Sequence, residues 1–344
     1  MLDRDVTGRP RRAVRLAFFI AGWLGALDSY LYATLVVQPH WDWAASLHGL
    51  VISDAAPSPY RYRVLVPFLA QGLSRFITVE QAYLLFYLAV FPVALCALLA
   101  LLRRWYPTSQ ALIGVVLTAA VLPLSFRDHF FQPATWLEFV LVITALRLLD
   151  RPVVDLRWYA VVSVIAACNR ETGILFGFLL VVVTWPVPAG RRLRTAVVAA
   201  LPTVVYATIH LARGAAPPAE HNLLARNLAD LPTVFTDVGL FLAIFAVLAI
   251  AGWRTAPAIC RRAAWLLAPY LPLIATFGMW RQVRMLVPLV PIMLGFGLGA
   301  LAHLDDDDTP RAPADLLRGA RPDTADTYDH ATVSTHRPAY SSTR

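Results

Sequence analysis

The sequence predicts an all-α protein: a polytopic helical membrane bundle with about ten transmembrane helices and one segment that is interfacial or re-entrant at the outer face. Apolar residues make up 58% of the 344 residues, and the mean hydropathy is +0.59. Apolar runs recur between residues 14 and 304, and runs of this length are typical of membrane-spanning helices. Lipid offers the backbone no hydrogen-bond partners, so each run is expected to satisfy its own backbone as a helix.

The chain is expected to divide into three parts. Residues 1–13 form a cytoplasmic N-terminal segment, residues 14–304 form the transmembrane helical domain, and residues 305–344 form a disordered cytoplasmic tail. The tail is polar and rich in Asp, Pro, Thr and Arg, so it cannot bury enough apolar surface to become ordered. The first apolar run is too long for a secretory signal and lacks a small-residue cleavage site, so we expect it to remain as a helix.

The distribution of arginine orients the helices. All 30 Lys and Arg residues are arginines, and the cytoplasmic loops of membrane proteins are enriched in positive charge. Placing RRWYP, DRPVVDLR and AGRRLRT on the cytoplasmic side puts both termini inside and residues 38–62 outside. This placement accounts for most of the net charge of +8, so we expect no nucleic-acid partner. The predicted crossings are residues 14–37, 81–102, 109–126, 134–149, 158–168, 173–185, 196–211, 234–253, 263–279 and 285–303.

Two segments differ from simple crossings. Residues 64–77 are apolar but too short to span the hydrocarbon, and the orientation of their neighbours requires them to stay at the outer face. The sequence NRET interrupts residues 158–185. The interruption predicts a hairpin whose residues 169–172 lie inside the protein, below the outer surface; the alternative is one long tilted helix. The arginine-rich loops on both sides favour the hairpin.

Several arginines fall on the outer side or within the bundle, where short loops usually avoid them. A cation at membrane depth costs roughly 2.5–3.5 kcal/mol on insertion scales, so we expect an anion to offset it. Arginine binds phosphate through a planar bidentate fork, which makes a lipid phosphate the simplest candidate. The residues expected to bind such a substrate are Arg61, Arg63, Tyr60, Tyr62, Arg127, Asp128, His129, Gln132, Arg170, Glu171, Arg281 and Arg284.

Structural roles compete with binding at some of these positions. In the segment 127–129, the first two residues can neutralise each other, and the histidine lies among phenylalanines that favour packing. Arg170 and Glu171 are adjacent at a helix break, where a buried ion pair is the alternative. Arg281 and Arg284 lie three residues apart on one helical face, which suits a modest phosphate clamp.

Three acidic residues are candidates for proton transfer. Asp42 lies between Trp41 and Trp43, and tryptophan is typical of the membrane interface, where a lipid headgroup meets water. Asp54 lies among Ala, Pro and Ser, which predicts a turn. Asp28 lies inside the first helix, where it is costly unless paired, so it is either the partner of an arginine or part of a site. We rank Asp42 first, with Asp54 and Asp28 as alternatives.

Motifs of other chemistries are missing from the sequence. It contains no Gly-rich phosphate loop, HExxH, CxxC or G-x-S-x-G sequence, so use of a nucleotide at the cytoplasmic side has no visible site. The carboxylates lack a metal-ligand spacing, so we assign no metal ligand and no cofactor, and dependence on a divalent metal stays open. The three cysteines lie far apart in apolar segments, which favours packing over a disulfide or a metal site.

Four short stretches together resemble motifs of the GT-C superfamily, the polytopic glycosyltransferases that use polyprenyl-phosphate-linked sugars on the outer membrane face. HWDWAASLHGL is similar to the acidic first-loop motif, and SPYRYRVLVPFLA resembles a Tyr-Arg-x-Arg stretch of bacterial members. NRETG and RQVRMLVPLVP resemble elements of the later helices. The chain lacks the tyrosine that usually follows the first-loop Asp and has Ala44, Ala45 and Ser46 there instead.

The resemblance implies inverting transfer of a sugar to an acceptor hydroxyl at the outer face of the cell membrane. Asp42 would be the general base, and the arginines would stabilise the departing lipid phosphate. The implied partners are a polyprenyl-phosphate-linked sugar, membrane lipid, and a glycan, lipid or protein acceptor. A transporter or flippase is the alternative, with Asp28, Glu138 and Glu171 as relay groups, and a non-catalytic scaffold is a third.

The topology makes a testable prediction. Replacing Ser58 by Cys in a background without the three native cysteines places a thiol in the predicted outer segment. An impermeant thiol reagent should label this variant on intact cells. Absence of labelling in an expressed variant would contradict the topology and the outward-facing site.

Overall fold

The computed structural model describes residues 11–123, 133–217, 223–229, 231–234, 240–277 and 283–307. In these ranges every regular element is a helix, which confirms the predicted all-α class for the described residues. The α-helices are α1 Arg11–Tyr32, α2 Trp41–Ile52, α3 Leu65–Leu73, α4 Val79–Leu102, α5 Thr108–Val121, α6 Pro133–Leu149, α7 Leu156–Asn169, α8 Leu175–Thr184, α9 Arg192–Arg213, α10 Leu223–Ala229, α11 Leu231–Val234, α12 Leu240–Gly252, α13 Ala258–Ala263, α14 Leu267–Phe277 and α15 Val290–Asp307.

Four helical segments in the described part of the chain are long and apolar enough to cross a membrane. They are Arg12–Val37, Val79–Leu102, Ala189–Arg213 and Met285–Ala302, with 26, 24, 25 and 18 residues. Three shorter apolar helices, Thr108–Val121, Leu156–Asn169 and Glu171–Thr184, have 10 to 17 residues. A helix of 14 residues rises about 21 Å, less than the roughly 30 Å of a bilayer core. The predicted membrane-spanning helices are therefore found in part, and the count of about ten crossings stays a prediction.

The predicted outer segment 38–62 contains a helix that the sequence did not indicate. After a π-helical turn at Ala33–Val37, the chain forms α2 from Trp41 to Ile52. Ala44, His48 and Val51 are buried on one face of α2, at the spacing of one helical stripe. The acidic residue in its first turn suits the positive end of the helix dipole. The helix is explained by the packing of this buried stripe, and not by the length of the segment or by a strong hydrophobic periodicity in its sequence.

The segment 64–77 contains only the short helix α3, which has nine residues. Nine residues rise about 13 Å, so α3 cannot cross a bilayer core by itself, as predicted. A capping box at Thr78 and Gln81 then starts α4, with Thr78 Oγ1 accepting from Gln81 N at 3.1 Å and Gln81 Oε1 accepting from Thr78 N at 3.0 Å. This cap separates α3 from α4. The position of α3 at an outer leaflet stays a prediction.

The sequence NRET reverses the direction of the chain. Arg170 has an extended backbone, with φ −161° and ψ 154°, between α7 and the 3₁₀ turn Glu171–Ile174. The hydroxyl of Tyr159 donates to the carbonyl of Phe176 at 2.8 Å across a separation of 17 residues. In one continuous helix these residues would be about 25 Å apart. The hairpin is therefore correct, and the single long helix is wrong.

Helix ends that the predicted threading places on the same side of the membrane are in contact with one another. The ends assigned to the cytoplasm meet through hydrogen bonds from Arg104 to Asp150 at 2.7 Å and from Arg262 to the Val183 carbonyl at 2.8 Å. The ends assigned to the outside meet through hydrogen bonds from Arg213 to Asp54 at 2.6 Å and from Asn169 to the Ala134 carbonyl at 2.7 Å. The alternating directions of these helices agree with the threading. Which end faces outward stays a prediction.

Helices α1 and α4 pack at very short range, and this contact makes a stability prediction. A Cβ on Gly25 would lie 2.5 Å from the Pro92 Cα, whereas a Cβ on Gly22 of the same helix would meet only Cys96 Sγ at 3.8 Å. Overpacking costs typically 1–3 kcal/mol. We expect Gly25→Ala to lower the melting temperature of the purified protein by about 5 °C. The matched variant Gly22→Ala should leave it unchanged or raise it, because alanine favours helix.

The two melting temperatures are measured in one detergent by a thermal-shift assay. Equal values for Gly22→Ala and Gly25→Ala would contradict the close approach of α1 and α4.

Candidate functional site

Arg63, Glu138, Arg170 and Glu171 form one chain of ion pairs, named here the central cluster. Glu138 lies in α6, Arg170 and Glu171 lie at the break between α7 and α8, and Arg63 follows the 3₁₀ turn Tyr60–Tyr62. The cluster therefore joins three segments that are distant in sequence. Two arginines and two glutamates give it no net formal charge.

Arg170 and Glu138 form the buried half of the central cluster. Arg170 Nη1 lies 3.1 Å from Glu138 Oε2, and the two side chains are only 2% and 3% exposed. Thr135 Oγ1 lies 3.3 Å from the same arginine nitrogen, and the Thr172 hydroxyl donates to the other oxygen of Glu138. A buried ion pair needs such additional hydrogen bonds to offset its desolvation. The buried-pair alternative thus describes Arg170, although its closest carboxylate partner is Glu138 rather than the adjacent Glu171.

Arg63 and Glu171 form the half that is nearer to solvent. Arg63 Nε lies 3.0 Å from Glu171 Oε2, and Arg63 Nη2 lies 2.6 Å from Glu171 Oε1. This is the bidentate geometry of a strong charge-assisted pair. The Glu171 side chain is 25% exposed. An anionic ligand of Arg63 would therefore compete with Glu171 for the guanidinium fork.

Asp54, Arg61 and Arg213 form a second group, named here the mouth cluster. Arg61 contacts both carboxylate oxygens of Asp54, at 2.9 and 2.8 Å, and Arg213 Nε lies 2.6 Å from Oδ1. The hydrogen bonds from Arg61 and then Arg213 lower the pKa of Asp54. The three side chains carry a net formal charge of +1. Asp54 has a φ of 62°, a conformation that Asp adopts more readily than most residues, so the predicted turn is present.

The two tyrosines predicted for substrate binding have different surroundings. Tyr62 is buried, its hydroxyl donates to the Gly214 carbonyl at 3.0 Å, and its ring stacks on His210 with centroids 4.2 Å apart. Tyr60 lies under the Arg63 guanidinium, 5.1 Å from its ring centroid, and lines a cleft. Tyr62 therefore packs the mouth cluster against the end of α9, and Tyr60 faces the space beside the central cluster.

This cleft has a volume of about 40 Å³, and its polar lining residues are His48, Tyr60, Arg63, Tyr83 and Asn169. His48 Nδ1 lies 3.1 Å from the Tyr83 hydroxyl, and His48 Nε2 lies 3.0 Å from Gln71 Oε1. An amide oxygen can only accept a hydrogen bond, so Nε2 is the donor in the bond to Gln71. Sequence reasoning assigned no role to His48, Tyr83 or Asn169, since isolated polar residues give no recognisable pattern.

The three candidate bases lie in different places. Asp42 is exposed in the first turn of α2, and it makes no ion pair with any residue in the described ranges. Asp54 is held by the two arginines of the mouth cluster. Asp28 is buried within α1, and its Oδ2 has no partner among the described residues. Neither Asp42 nor Asp28 is among the residues that line the cleft.

Several predicted residues lie outside the described residues, so nothing is stated of their structure. They are Arg127, Asp128, His129, Gln132 and Arg281. Arg284 lies in the 3₁₀ segment Val283–Leu289, but its side chain is likewise outside the description. Across the described ranges, no three His, Cys, Asp or Glu side chains gather as a metal site requires.

Comparison with known proteins identifies no relative: no protein-family profile, curated protein or solved structure matches this chain. The likeness to GT-C glycosyltransferases rests on the four short motifs alone. Function must therefore be argued from the chemistry of the site.

The buried half of the central cluster makes a stability prediction. Arg170→Met removes one partner of a buried pair and leaves the Glu138 carboxylate without its arginine. Such a change typically costs about 3–5 kcal/mol. We expect a large loss of melting temperature, about 6 °C or more. The double variant Arg170→Met/Glu138→Leu should recover part of it, because no unpaired carboxylate remains. Arg104→Gln, which breaks a half-exposed pair, is the matched control and should cost little.

Thermal unfolding of the purified variants in one detergent measures these effects. A double variant that is less stable than Arg170→Met would contradict the assigned pairing of Arg170 with Glu138.

Proposed function

We propose that this protein is a membrane glycosyltransferase that moves a sugar from a polyprenyl-phosphate donor to an acceptor hydroxyl, with inversion at the anomeric carbon. One observation carries the proposal. The motif residues Arg61 and Arg63 gather with Glu171, which lies 108 residues after Arg63, and with Arg213 at one end of the helical structure, beside a cleft. A cluster of arginines at a helix-bundle end suits a substrate that has a phosphate and a membrane-embedded tail.

In this proposal the protein is a multi-pass protein of the cell membrane with about ten crossings. Both termini lie in the cytoplasm, and the cleft faces outward. The four membrane-length helices and the hairpin at Arg170 support this arrangement. The contact between Arg104 and Asp150 supports it too, because it joins two loops that carry the arginines expected on the cytoplasmic side.

The donor phosphate is assigned to Arg61 and Arg63, with the predicted pair Arg281 and Arg284 as a second contact. The mouth cluster has one excess positive charge, so it attracts an anion before any internal pair is broken. Arg63 is neutralised by Glu171 in the free protein, so it would exchange this carboxylate for the phosphate. Arginine then stabilises the charge that grows on the phosphate as its bond to the sugar breaks.

The proposed base is Asp42. A carboxylate that accepts hydrogen bonds from two arginines, as Asp54 does, holds protons weakly and is a poor base. Asp28 is buried in α1, so it cannot reach an acceptor. Asp42 is exposed and unpaired among the described residues, and it lies on the helix whose residues His48 and Val51 line the cleft.

The reaction balances with these roles. The acceptor oxygen attacks the anomeric carbon on the face opposite to the phosphate. Its proton passes to the Asp42 carboxylate, while the bond between the anomeric carbon and the phosphate oxygen breaks. The lipid phosphate leaves with the electron pair, and no other co-reactant is needed.

A transporter or flippase is the second candidate, and Asp28 favours it. A buried carboxyl group with an unpaired oxygen inside a membrane-length helix is typical of a relay group. The other two acids of that candidate are less suitable, because Glu138 and Glu171 are each bound to an arginine.

Activity measurements test the assignment of the base. Full-length protein in lipid nanodiscs is incubated with a panel of polyprenyl-phosphate sugars, and loss of donor is scored. Asp42→Asn keeps the size of the side chain but removes its basicity, so the rate should fall roughly 100-fold or more. Donor binding should persist. Asp155→Asn, at the N-terminus of α7, is the matched control and should be active.

Other outcomes distinguish the candidates. If Asp42→Asn is fully active and Asp54→Asn or Asp28→Asn is not, the base is misassigned. If all three variants are active and Arg63→Ala binds donor normally, the glycosyltransferase proposal is wrong.

A further inference from the structure

The side chain of Asn169 has an oxygen that no described residue satisfies. Asn169 is the last residue of α7, is 1% exposed, and lines the cleft beside the central cluster. Its Nδ2 donates to the carbonyl of Ala134 at 2.7 Å. Its Oδ1 is buried and has no hydrogen-bond partner among the described residues. Buried acceptors of this kind are rare in native proteins, because leaving one unpaired costs about 1–3 kcal/mol.

Chemistry decides the orientation of this amide. A carbonyl oxygen can only accept a hydrogen bond, so the Asn169 group that faces Ala134 must be the NH₂ group. Rotating the amide by 180° would put two oxygens at 2.7 Å and would lose the bond. The oxygen is therefore the end that is left without a partner, and it requires an O–H or N–H donor.

The cleft supplies complementary groups around this acceptor. Arg63 contributes a cationic donor, and Tyr60 and Tyr83 contribute aromatic rings to the lining. The volume of about 40 Å³ exceeds the roughly 10–15 Å³ that a water needs, but it is much smaller than a typical ligand pocket. The space thus suits one inserted polar group better than an entire sugar ring.

His48 is not available to accept a hydrogen bond from an incoming group. Both of its ring nitrogens already have partners, Tyr83 and Gln71. Of the polar side chains that line the cleft, Asn169 has the one atom that is unpaired among the described residues. A hydrogen bond from a hydroxyl group to this oxygen would replace none of the side-chain hydrogen bonds of the cleft.

We propose that Asn169 is a substrate-binding residue whose Oδ1 accepts a hydrogen bond from a hydroxyl group inserted into the cleft beside Arg63. The ligand class is a polyhydroxylated carbohydrate, so this inference rests on the proposed function and deepens it. The hydroxyl belongs either to the sugar of the donor or to the acceptor. In both cases the bond orients the carbohydrate relative to Arg63.

Equilibrium binding to the full-length protein in nanodiscs tests this role. The donor arm compares farnesyl-phosphate glycosides of glucose, mannose and arabinose with farnesyl phosphate, which has no sugar. The acceptor arm uses the methyl glycosides of the same sugars. Asn169→Leu should weaken binding of the sugar-bearing probe about tenfold, the loss of one hydrogen bond, and should leave farnesyl phosphate binding unchanged.

Two further variants separate recognition from folding. Ser163→Ala lies in the same helix, where Ser163 bonds only to the Tyr159 carbonyl of its own helix, and should bind every probe like the wild type. Asn169→Ser keeps a small donor for the Ala134 carbonyl and replaces Asn169→Leu in the comparison if the latter does not fold.

The two arms assign the source of the hydroxyl group. An effect confined to the farnesyl-phosphate glycosides assigns it to the donor, and one confined to the methyl glycosides assigns it to the acceptor. The inference is overturned if the Asn169 variant binds all probes like the wild type, or loses farnesyl phosphate equally. It is also overturned if the wild-type protein binds no sugar-bearing probe, since water is then the group that pairs with Asn169 Oδ1 in the cleft. Selective binding without sugar transfer would instead refute the proposed function alone.

Discussion

The placement of Arg170 is the constraint on which the rest of the site depends. Its guanidinium is almost fully buried among apolar helices, and a cation in such a place requires carboxylates and hydrogen-bond acceptors around it. Glu138 supplies one carboxylate from α6, and Glu171 supplies another from the chain reversal. Glu171 in turn holds Arg63. One buried charge therefore joins α6, the α7–α8 hairpin and the segment that precedes α3.

The central cluster and the mouth cluster suit different roles. The central cluster is neutral, and its buried pair Arg170 and Glu138 has a structural role, whereas Arg63 lines the cleft and is the member assigned to the proposed donor phosphate. The mouth cluster has an excess positive charge and is nearer to solvent, so it is the part that suits an incoming phosphate. Asn169 donates to the Ala134 carbonyl at the start of α6, and its remaining acceptor belongs to a residue that lines the cleft together with Arg63.

The sequence located these residues better than it assigned their roles. NRETG was expected to interrupt a helix, and it does, but its arginine pairs with Glu138, which lies 32 residues away. Asp54 was expected in a turn and has the backbone of one, yet it also binds Arg213 across 159 residues. The observed helix boundaries differ from the predicted ones for local reasons. Helix α4 begins at Val79 because Thr78 caps it, and α9 includes arginines that a hydropathy criterion excluded. Helix α2 was missed because its buried stripe is short.

Composition and local pattern by themselves determined the helical class, the apolar segments, the chain break at Asn169 and Arg170, and the non-crossing length of residues 64–77. These features depend on hydropathy, residue spacing and backbone hydrogen bonding within a few turns. The tertiary structure alone decided which carboxylate holds which arginine, that Asp42 is exposed while Asp54 is bound, and that one oxygen of Asn169 lacks a partner. Arg63 and Glu171 are 108 residues apart, and no local pattern encodes a contact between side chains that only the packing of separate helices brings together.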